Sequence, residues 1–313
     1  MAYRKGQGGG LSPAARITQE IIARLETGTK PWIKPWRGVP LSRPLRACGI
    51  PYRGMNVFWL WMVADMCGYA SPFWMTYKQA KELGAQVRKG EKSTIAIFYK
   101  SYTKEVEAPD TGEKTDESRR VLKAYPVFNA DQVEGLPERF HPAPMLEDVE
   151  PEGRQAELDA FFANIPAVLR HQGDQAYYEP VADRVTMPPA SLFSGFDHYY
   201  ATLAHELSHW TGHASRLGRD LKNRFGSAAY AAEELVAELS SAMLGAELGL
   251  PVAHLDHHAS YIEHWLGLLK QDDRAILTAA AKAEEASRLL LNLGGRIVAD
   301  DSDEASADAA LAA

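Results

Sequence analysis

The sequence predicts an α+β fold divided between a mixed N-terminal half and a mainly helical C-terminal half. In the first half, residues 93–102 alternate apolar and polar side chains as a strand does, and residues 121–128 read as a partner strand. In the second half, segments rich in Ala, Leu and Glu indicate helices up to about residue 293. Between the halves, residues 137–153 are rich in Pro and Glu and have the composition of an interdomain linker.

The 313 residues are long enough to bury two cores. We expect a basic domain over residues 1–140, a linker over 141–153, a second domain over 154–297 and an acidic, disordered tail over 298–313. The basic, Gly-rich start is expected to be a flexible arm and not a signal peptide. No apolar run approaches the roughly 20 residues that a membrane helix needs. A cytoplasmic protein with no membrane partner is therefore expected, and its two cysteines match no metal or redox spacing.

The elements of the first half follow from its apolar pattern. Residues 14–26 form an amphipathic helix pattern, and the residues after Asn56 form an apolar helix that runs through Cys67. A short helix is expected over residues 76–83. The polar stretch between the two strands, residues 103–120, is expected to be a long, mobile hairpin loop.

The charges of the two halves are opposite. Residues 1–140 contain 22 Lys and Arg against 14 Asp and Glu, a net charge of +8. Because the whole chain has a net charge of −7, residues 141–313 have a net charge of −15. A basic half suggests an anionic partner, although a solvated charged surface is the plainer alternative. Aromatic residues among cations suit single-stranded nucleic acid, because bases stack on aromatic faces and cations contact phosphates. Trp59 and Trp61 lie in the apolar helix and are expected in the core. The candidate DNA-binding residues are Trp32, Lys34, Trp36, Arg53, Lys78, Arg88, Lys89 and Lys92.

The second half contains the pattern HExxH as His205-Glu206-Leu207-Ser208-His209. Residues four apart on a helix share a face, so both imidazoles can reach one metal ion. Glu206 stands beside the first histidine, where a general base must lie. The alternative is an amphipathic helix that carries the pattern by chance. The preceding residues, 196–203, contain no helix breaker, which favours the metal-binding interpretation.

The residues that follow decide against two candidates for a third ligand. Ser215 stands where the longer pattern HExxHxxGxxH requires a histidine, so this chain is not a metzincin. His213 on a straight helix would lie about 12 Å from His205 at roughly 1.5 Å per residue. Zinc–nitrogen bonds are only about 2.0–2.1 Å long, so His213 is at most a residue of the rim.

A better ligand is expected in the next predicted helix, residues 227–249, which ends at a glycine before a proline. Glu234 and Glu238 share one face beside an apolar stripe, and desolvated carboxylates there need a positive partner. We expect Glu234 to bind the metal and Glu238 to orient a ligand histidine, while Glu233 faces solvent. A solvated acidic face is the alternative.

Two blocks of the sequence resemble one known family over roughly residues 14–250. The segments KPWIKPW (30–36), YRGMN (52–56), WMTYKQAKELGAQVRKGEKS (74–93) and VFNADQVEGLP (127–137) resemble the N-terminal domain of ArdC-type antirestriction proteins and of related primase-type proteins of conjugative plasmids. HELSHWTGH (205–213) and YAAEELVAEL (230–239) resemble the zincin-like metallopeptidase domain of the same proteins.

This resemblance implies an α/β single-stranded DNA-binding domain followed by a mainly helical zincin-like metallopeptidase domain. It also implies protection of incoming plasmid DNA from host restriction, and it favours Glu234 over Glu238 as the ligand. With one zinc ion per chain, Glu206 would take the proton from the water that attacks a peptide carbonyl of a protein substrate, such as a host restriction component. Candidates for stabilising the oxyanion are Tyr199, Tyr200 and Tyr230.

Two rival interpretations remain at this point. In one, the protein is a DNA-binding antirestriction protein whose metal site is structural or proteolytically inactive. In the other, the chain is a fragment of a larger mobilisation or primase protein. The acidic tail argues against the second interpretation, because such a tail is expected at the natural end of a protein. A catalytic site needs an open coordination position, whereas a structural site is closed.

Overall fold

The computed structural model describes residues 11–28, 30, 42–107, 114–141, 151–220, 228–250 and 259–296, and it has the predicted α+β architecture. The expected N-terminal arm, most of the expected linker and the expected acidic tail lie outside these ranges, as do Trp32, Lys34 and Trp36. In the described ranges, no helix combines the length and the apolar character that crossing a membrane would take.

The N-terminal half builds a mixed sheet beside its helices. Strands β1, β2, β5 and β4 follow one another in a four-stranded sheet, in which β1 and β2 are parallel and the other neighbours antiparallel; β3 and β6 form a separate pair. The elements are α1 (Pro13–Glu26), β1 (Leu45–Arg46), α2 (Met55–Cys67), β2 (Phe73–Met75), α3 (Tyr77–Glu82), β3 (Gln86–Val87), β4 (Thr94–Glu107), β5 (Lys114–Asn129) and β6 (Val133–Glu134).

The two predicted strands do pair, but the expected loop over residues 103–120 is wrong. The antiparallel register starts at Thr94 opposite Val127 and continues to Glu107 opposite Lys114, so only residues 108–113 connect the strands. In a two-stranded ladder the inward backbone groups pair between the strands and the outward ones can bond to water, so polar strands can pair without an apolar face. Apolar periodicity therefore cannot detect it where the strands are polar.

The C-terminal half places a three-stranded sheet, in the order β7, β9, β8, next to packed helices. Its first helix starts at Pro151, inside the stretch that was expected to be linker. As predicted, the long helix α6 ends before Gly249, whose φ of 65° is in the left-handed region that glycine tolerates. The elements are α4 (Pro151–Ala163), β7 (Val168–His171), β8 (Tyr177–Glu179), β9 (Arg184–Met187), α5 (Phe196–Thr211), α6 (Ala229–Leu248), α7 (Ala259–Gln271) and α8 (Ala275–Leu293).

One hydrophobic core joins the two halves. Ile17 and Ile21 of α1 and Phe58 of α2 belong to the same buried cluster as Leu235 of α6 and Trp265 of α7. Trp59 is also buried in this cluster, whereas Trp61 lies at its margin and donates its indole N–H to the carbonyl oxygen of Ser42. Because neither half could be removed without exposing this core, we expect the described elements to unfold as one cooperative unit.

A buried ion cluster reinforces the same junction. The Arg43 guanidinium lies 2.8 Å from carboxylate oxygens of Glu284 and Glu247, and Glu284 also accepts a hydrogen bond from the backbone N–H of Gly54 at 3.1 Å. Arg43 comes from the first half and both glutamates come from the second. Removal of the arginine would leave a buried carboxylate without its compensating charge.

We therefore predict that Arg43→Met destabilises the full chain by about 3–5 kcal/mol, the usual cost of breaking a buried ion pair from one side. Urea unfolding followed by tryptophan fluorescence measures the change. The matched control is Lys282→Met, because the Lys282 side chain on α8 is partly exposed and its ion pair with Glu285 is at the surface. Equal stability of the two variants, or two separate unfolding transitions, would contradict a junction of this kind.

Candidate metal centre

Helix α5 carries the HExxH residues on a buried face. Leu203, Leu207 and Trp210 anchor the helix in a second core, and the rings of His205 and His209 stand on the neighbouring face with centroids 5.0 Å apart. The spacing of four residues therefore does what the sequence predicted, since both imidazoles point to the same side of the helix.

Helix α6 packs against α5 and brings a carboxylate to both histidines. The hydroxyl groups of Ser208 and Ser240 hydrogen bond at 3.0 Å where the two helices meet. One turn away, Glu234 Oε2 lies 3.8 Å from His205 Nε2, and Glu234 Oε1 lies 3.6 Å from His209 Nε2. The ligand atoms of these three residues all lie within 4.8 Å of one another, so one ion between them can reach all three.

A second layer of carboxylates lies behind the histidines. Glu233 Oε1 is 3.3 Å from His209 Nδ1, and Glu238 Oε2 is 4.0 Å from His205 Nδ1. The Nε2 atoms are thereby left facing Glu234. The expectation that Glu233 faces solvent is wrong, because it contacts His209 and forms an ion pair with Arg219, which follows α5. Helical spacing gives the direction of a side chain, and it cannot tell where a neighbouring helix crosses.

The electrostatics of the site favour a cation. Burial opposes a charge on Glu234, but hydrogen bonding and attraction from the two histidines keep its pKa below the usual range. Burial alone would likewise lower the pKa of His209, yet Glu233, Glu206 and Glu234 together raise it. Arg219 balances Glu233 and Lys30 balances Glu238, so Glu206 and Glu234 leave an excess of negative charge beside the two imidazoles, which a divalent ion would neutralise. The residues fit such an ion.

Glu206 completes the arrangement. It is buried at 8% exposure, immediately follows His205 on α5, and acts electrostatically on His209. His213 lies beyond the last residue of α5 and outside the cluster of ligand atoms, where its Nδ1 contacts Ser215 Oγ at 2.8 Å. His213 is therefore not one of the candidate ligands, as its spacing from His205 predicted.

The three tyrosines have different surroundings. Tyr200 stacks on Phe162 and hydrogen bonds to Asp159, and burial together with that carboxylate raises the pKa of Tyr200. The Tyr199 hydroxyl lies 2.8 Å from His171 Nε2. Tyr230 is 65% exposed and donates a hydrogen bond to Glu234, so it is the tyrosine in contact with the candidate ligands.

The turn after α5 is held by a separate ion pair. Both terminal nitrogens of the Arg216 guanidinium contact the Asp183 carboxylate, and hydrogen bonds from Arg216 lower the pKa of Asp183 to about 2. The same guanidinium stacks on the Trp210 ring at 3.8 Å. This pair keeps the segment carrying Arg219 next to the second layer of the site.

The candidate DNA-binding residues that the structure describes do not form part of this site. Lys78 on α3 and Lys89 and Lys92 after β3 are exposed, whereas Arg53 is partly buried. Arg88 is exposed, and its guanidinium forms an ion pair with the Glu91 carboxylate at 2.8 Å. Of the other aromatic residues of the basic half, Tyr52 and Trp74 are buried in the core, while Tyr77 and Tyr99 are exposed.

Two protein-family models match the chain in the order of its halves. Residues 12–128 match the N-terminal domain of anti-restriction factor ArdC, and residues 156–282 match a zincin-like metallopeptidase. Among relatives, the uncharacterized protein y4eC of Sinorhizobium fredii (strain NBRC 101917 / NGR234) is 42% identical over 277 residues, which are 86% of this chain and 88% of that protein. A DNA primase TraC of Escherichia coli is 39% identical over 88% of this chain, and the match spans only 27% of the primase.

Two crystal structures of the antirestriction ArdC protein from plasmid R388 have the same fold. The metal-free structure is 44% identical to this chain, with a TM-score of 0.77 over 91% of this chain and 98% of the other. The Mn(II)-bound structure is 43% identical, with a TM-score of 0.73 over 92% of this chain and 100% of the other. The bound manganese agrees with a divalent-metal site in a fold of this type.

Proposed function

The chain belongs to the ArdC family of antirestriction proteins, and from that premise we propose that it protects incoming DNA from host restriction. In this proposal, the basic half binds single-stranded DNA and the C-terminal half is a zinc-dependent metallopeptidase that hydrolyses a protein substrate. The protein would act in the cytoplasm, during conjugative transfer of a plasmid or a related mobile element. The observation that carries the enzymatic part is the convergence of His205, His209 and Glu234 beside Glu206.

Zinc is the proposed ion because two imidazoles and one carboxylate are a donor set that catalytic zinc sites use. Within the described ranges, three side chains offer ligand atoms, which leaves a fourth position for water or substrate. When bound, the ion would polarise a substrate carbonyl and make a water molecule more acidic.

The side chains of this chain would do the rest of the chemistry. Glu206 would accept the proton of the attacking water and pass it to the leaving amine. Glu233 and Glu238 would hold the Nδ1 sides of the histidines so that both Nε2 atoms face the ion. The exposed Tyr230 hydroxyl, at the edge of the site, is the proposed donor to the oxyanion, for which it would have to turn its single proton away from Glu234.

For the DNA-binding half, we propose that Trp32 and Trp36 stack on bases while Lys34, Arg53, Lys78, Arg88, Lys89 and Lys92 contact phosphates. The support for this proposal is the net charge of +8 over residues 1–140 and the exposure of four of these cations on α3 and after β3. Such contacts read no base edges, so binding should show little sequence preference. The acidic half should add repulsion and no DNA contacts of its own.

We predict that Lys89→Ala and Lys92→Ala in the full chain each flatten the salt dependence of binding to a single-stranded oligonucleotide. The log–log slope should fall by about 0.7 for each phosphate contact that is lost. Fluorescence anisotropy between low and high salt measures the slope. Full-length protein is required because the two halves share a core.

The matched control is Lys282→Ala, which removes one exposed lysine from the acidic half and changes the net charge equally. It should leave the slope unchanged. An equal effect of Lys282→Ala and Lys89→Ala would mean that net charge alone, and not a surface of the basic half, governs binding.

A further inference from the structure

Lys30 belongs to the first half of the sequence, but its side chain is buried against residues of the second half. Its neighbours in the sequence are basic and aromatic. Its side chain is 7% exposed, and its ammonium nitrogen lies 2.8 Å from Glu238 Oε1. The same nitrogen lies 5.6 Å from the centroid of the Trp265 ring on α7. A lysine is rarely buried in a protein unless its charge is paired, and here the pairing carboxylate belongs to the metal centre.

Glu238 connects this lysine to a candidate metal ligand. Its second oxygen, Oε2, lies 4.0 Å from His205 Nδ1. That nitrogen is buried, and among the described residues no hydrogen-bond partner is within reach of it. A shift of about 1 Å would bring the carboxylate and the imidazole into hydrogen-bonding distance. Lys30 holds the other oxygen and so limits the positions that the carboxylate can take.

The other candidate histidine has the same three-part arrangement. Arg219 pairs with Glu233, and Glu233 contacts His209 Nδ1 at 3.3 Å. In both cases a cation fixes a carboxylate, and the carboxylate faces the side of the imidazole that points away from Glu234. Such partners set the orientation of a metal-binding histidine.

The two cations differ in origin. Arg219 follows α5 in the half that matches the metallopeptidase model, whereas Lys30 belongs to the half that matches the ArdC N-terminal model. We propose that Lys30 is a positioning residue of the metal centre, which is therefore incomplete without the N-terminal half. This inference rests on the metal site proposed above, and it assigns to Lys30 a role that is separate from DNA binding.

The test is the zinc affinity of the folded, full-length protein, measured by competition with a chromophoric chelator. Lys30→Met keeps an unbranched side chain one atom shorter and removes the charge, and we expect it to weaken zinc binding about 10-fold, as losses behind the ligands do. Glu238→Gln should weaken zinc binding similarly. In the double variant the two effects should not add, because both substitutions break the same path to His205.

The double variant also separates positioning from folding. It removes both buried charges at once, so it should be more stable than Lys30→Met, in which the buried Glu238 loses the compensating charge of Lys30. The structural control is Trp265→Phe, which alters the packing around Lys30 and the indole hydrogen bond to Ala231, but keeps the ion pair with Glu238. It should lower the melting temperature and leave zinc affinity unchanged.

Two results would overturn the proposal. One is a Lys30→Met protein that binds zinc within twofold of the wild type, or more tightly. The other is a Trp265→Phe protein that loses as much affinity as Lys30→Met, since packing alone would then be responsible. Neither depends on proteolysis, so an inactive peptidase leaves this test intact. Unchanged zinc binding in His205→Ala would instead disprove the metal site itself.

Discussion

His205→Ala and His209→Ala should each abolish zinc binding by the full-length protein, which should otherwise bind about one ion per chain. Each substitution leaves only two of the three candidate ligand side chains, and catalytic zinc sites use three protein ligands. Elemental analysis of protein dialysed against dilute zinc measures the loss. Full occupancy in both variants would exclude this site as the place where the ion binds.

The two glutamates of α6 provide the matched comparison within the same experiment. Glu234 faces both Nε2 atoms, whereas Glu238 lies on the Nδ1 side of His205 and is paired with Lys30. Glu234→Ala should therefore cost far more metal than Glu238→Ala, for which a loss of about 10–100-fold in affinity is typical. The reverse order would make Glu238 the ligand. His213→Ala should retain the ion, because His213 lies outside the cluster.

The part of the site that the sequence predicts is the part that depends on spacing within one helix. His205 and His209 are four residues apart on an uninterrupted helix, and helical geometry alone brings them together. Glu234 required one further assumption, that the following helix packs antiparallel against the first with its acidic face towards the histidines. The apolar stripe through Leu235 and Leu239 made that packing plausible, and both residues are fully buried.

The residues that the sequence did not reveal depend on contacts between distant segments. Glu233 reaches His209 because Arg219 holds it from a turn 14 residues away, and no local pattern encodes that turn. Lys30 is separated from Glu238 by 208 residues. In the sequence it stands at the start of a segment rich in basic and aromatic residues, where a solvated lysine is the natural expectation. Only the packing of the two halves over one core turns it inward.

The same limit applies to the expected division into two domains. Composition and charge change sharply near residue 140, and both family models stop on their own side of that change. Composition says nothing about whether two segments share a core, however, and here α1 and α2 pack with α6 and α7 in a single cluster. Separated halves are consequently a poor test of which half binds DNA, and point substitutions in the full chain are the better one.

Glu206→Gln should retain zinc and lose peptidase activity. The substitution keeps the shape of the side chain and leaves His205, His209 and Glu234 in place, so metal binding should stay close to that of the wild type. It removes the only proposed proton acceptor, and general-base catalysis contributes about 10²–10⁴-fold to the rate of such reactions. Cleavage of an unstructured protein such as casein, with and without single-stranded DNA, measures the activity, and elemental analysis measures the ion.

The same variant separates the two interpretations of the family's antirestriction role. If the protein acts by coating DNA, Glu206→Gln will still protect incoming plasmid DNA in a transfer assay, while Lys89→Ala will protect it less. If proteolysis carries the protection, the order of the two variants will be reversed. A Glu206→Gln protein that cleaves casein as fast as the wild type would rule out Glu206 as the base. If the wild-type protein itself binds zinc and cleaves no casein, with or without DNA, the buried Glu206 beside His205 is instead part of a structural metal site.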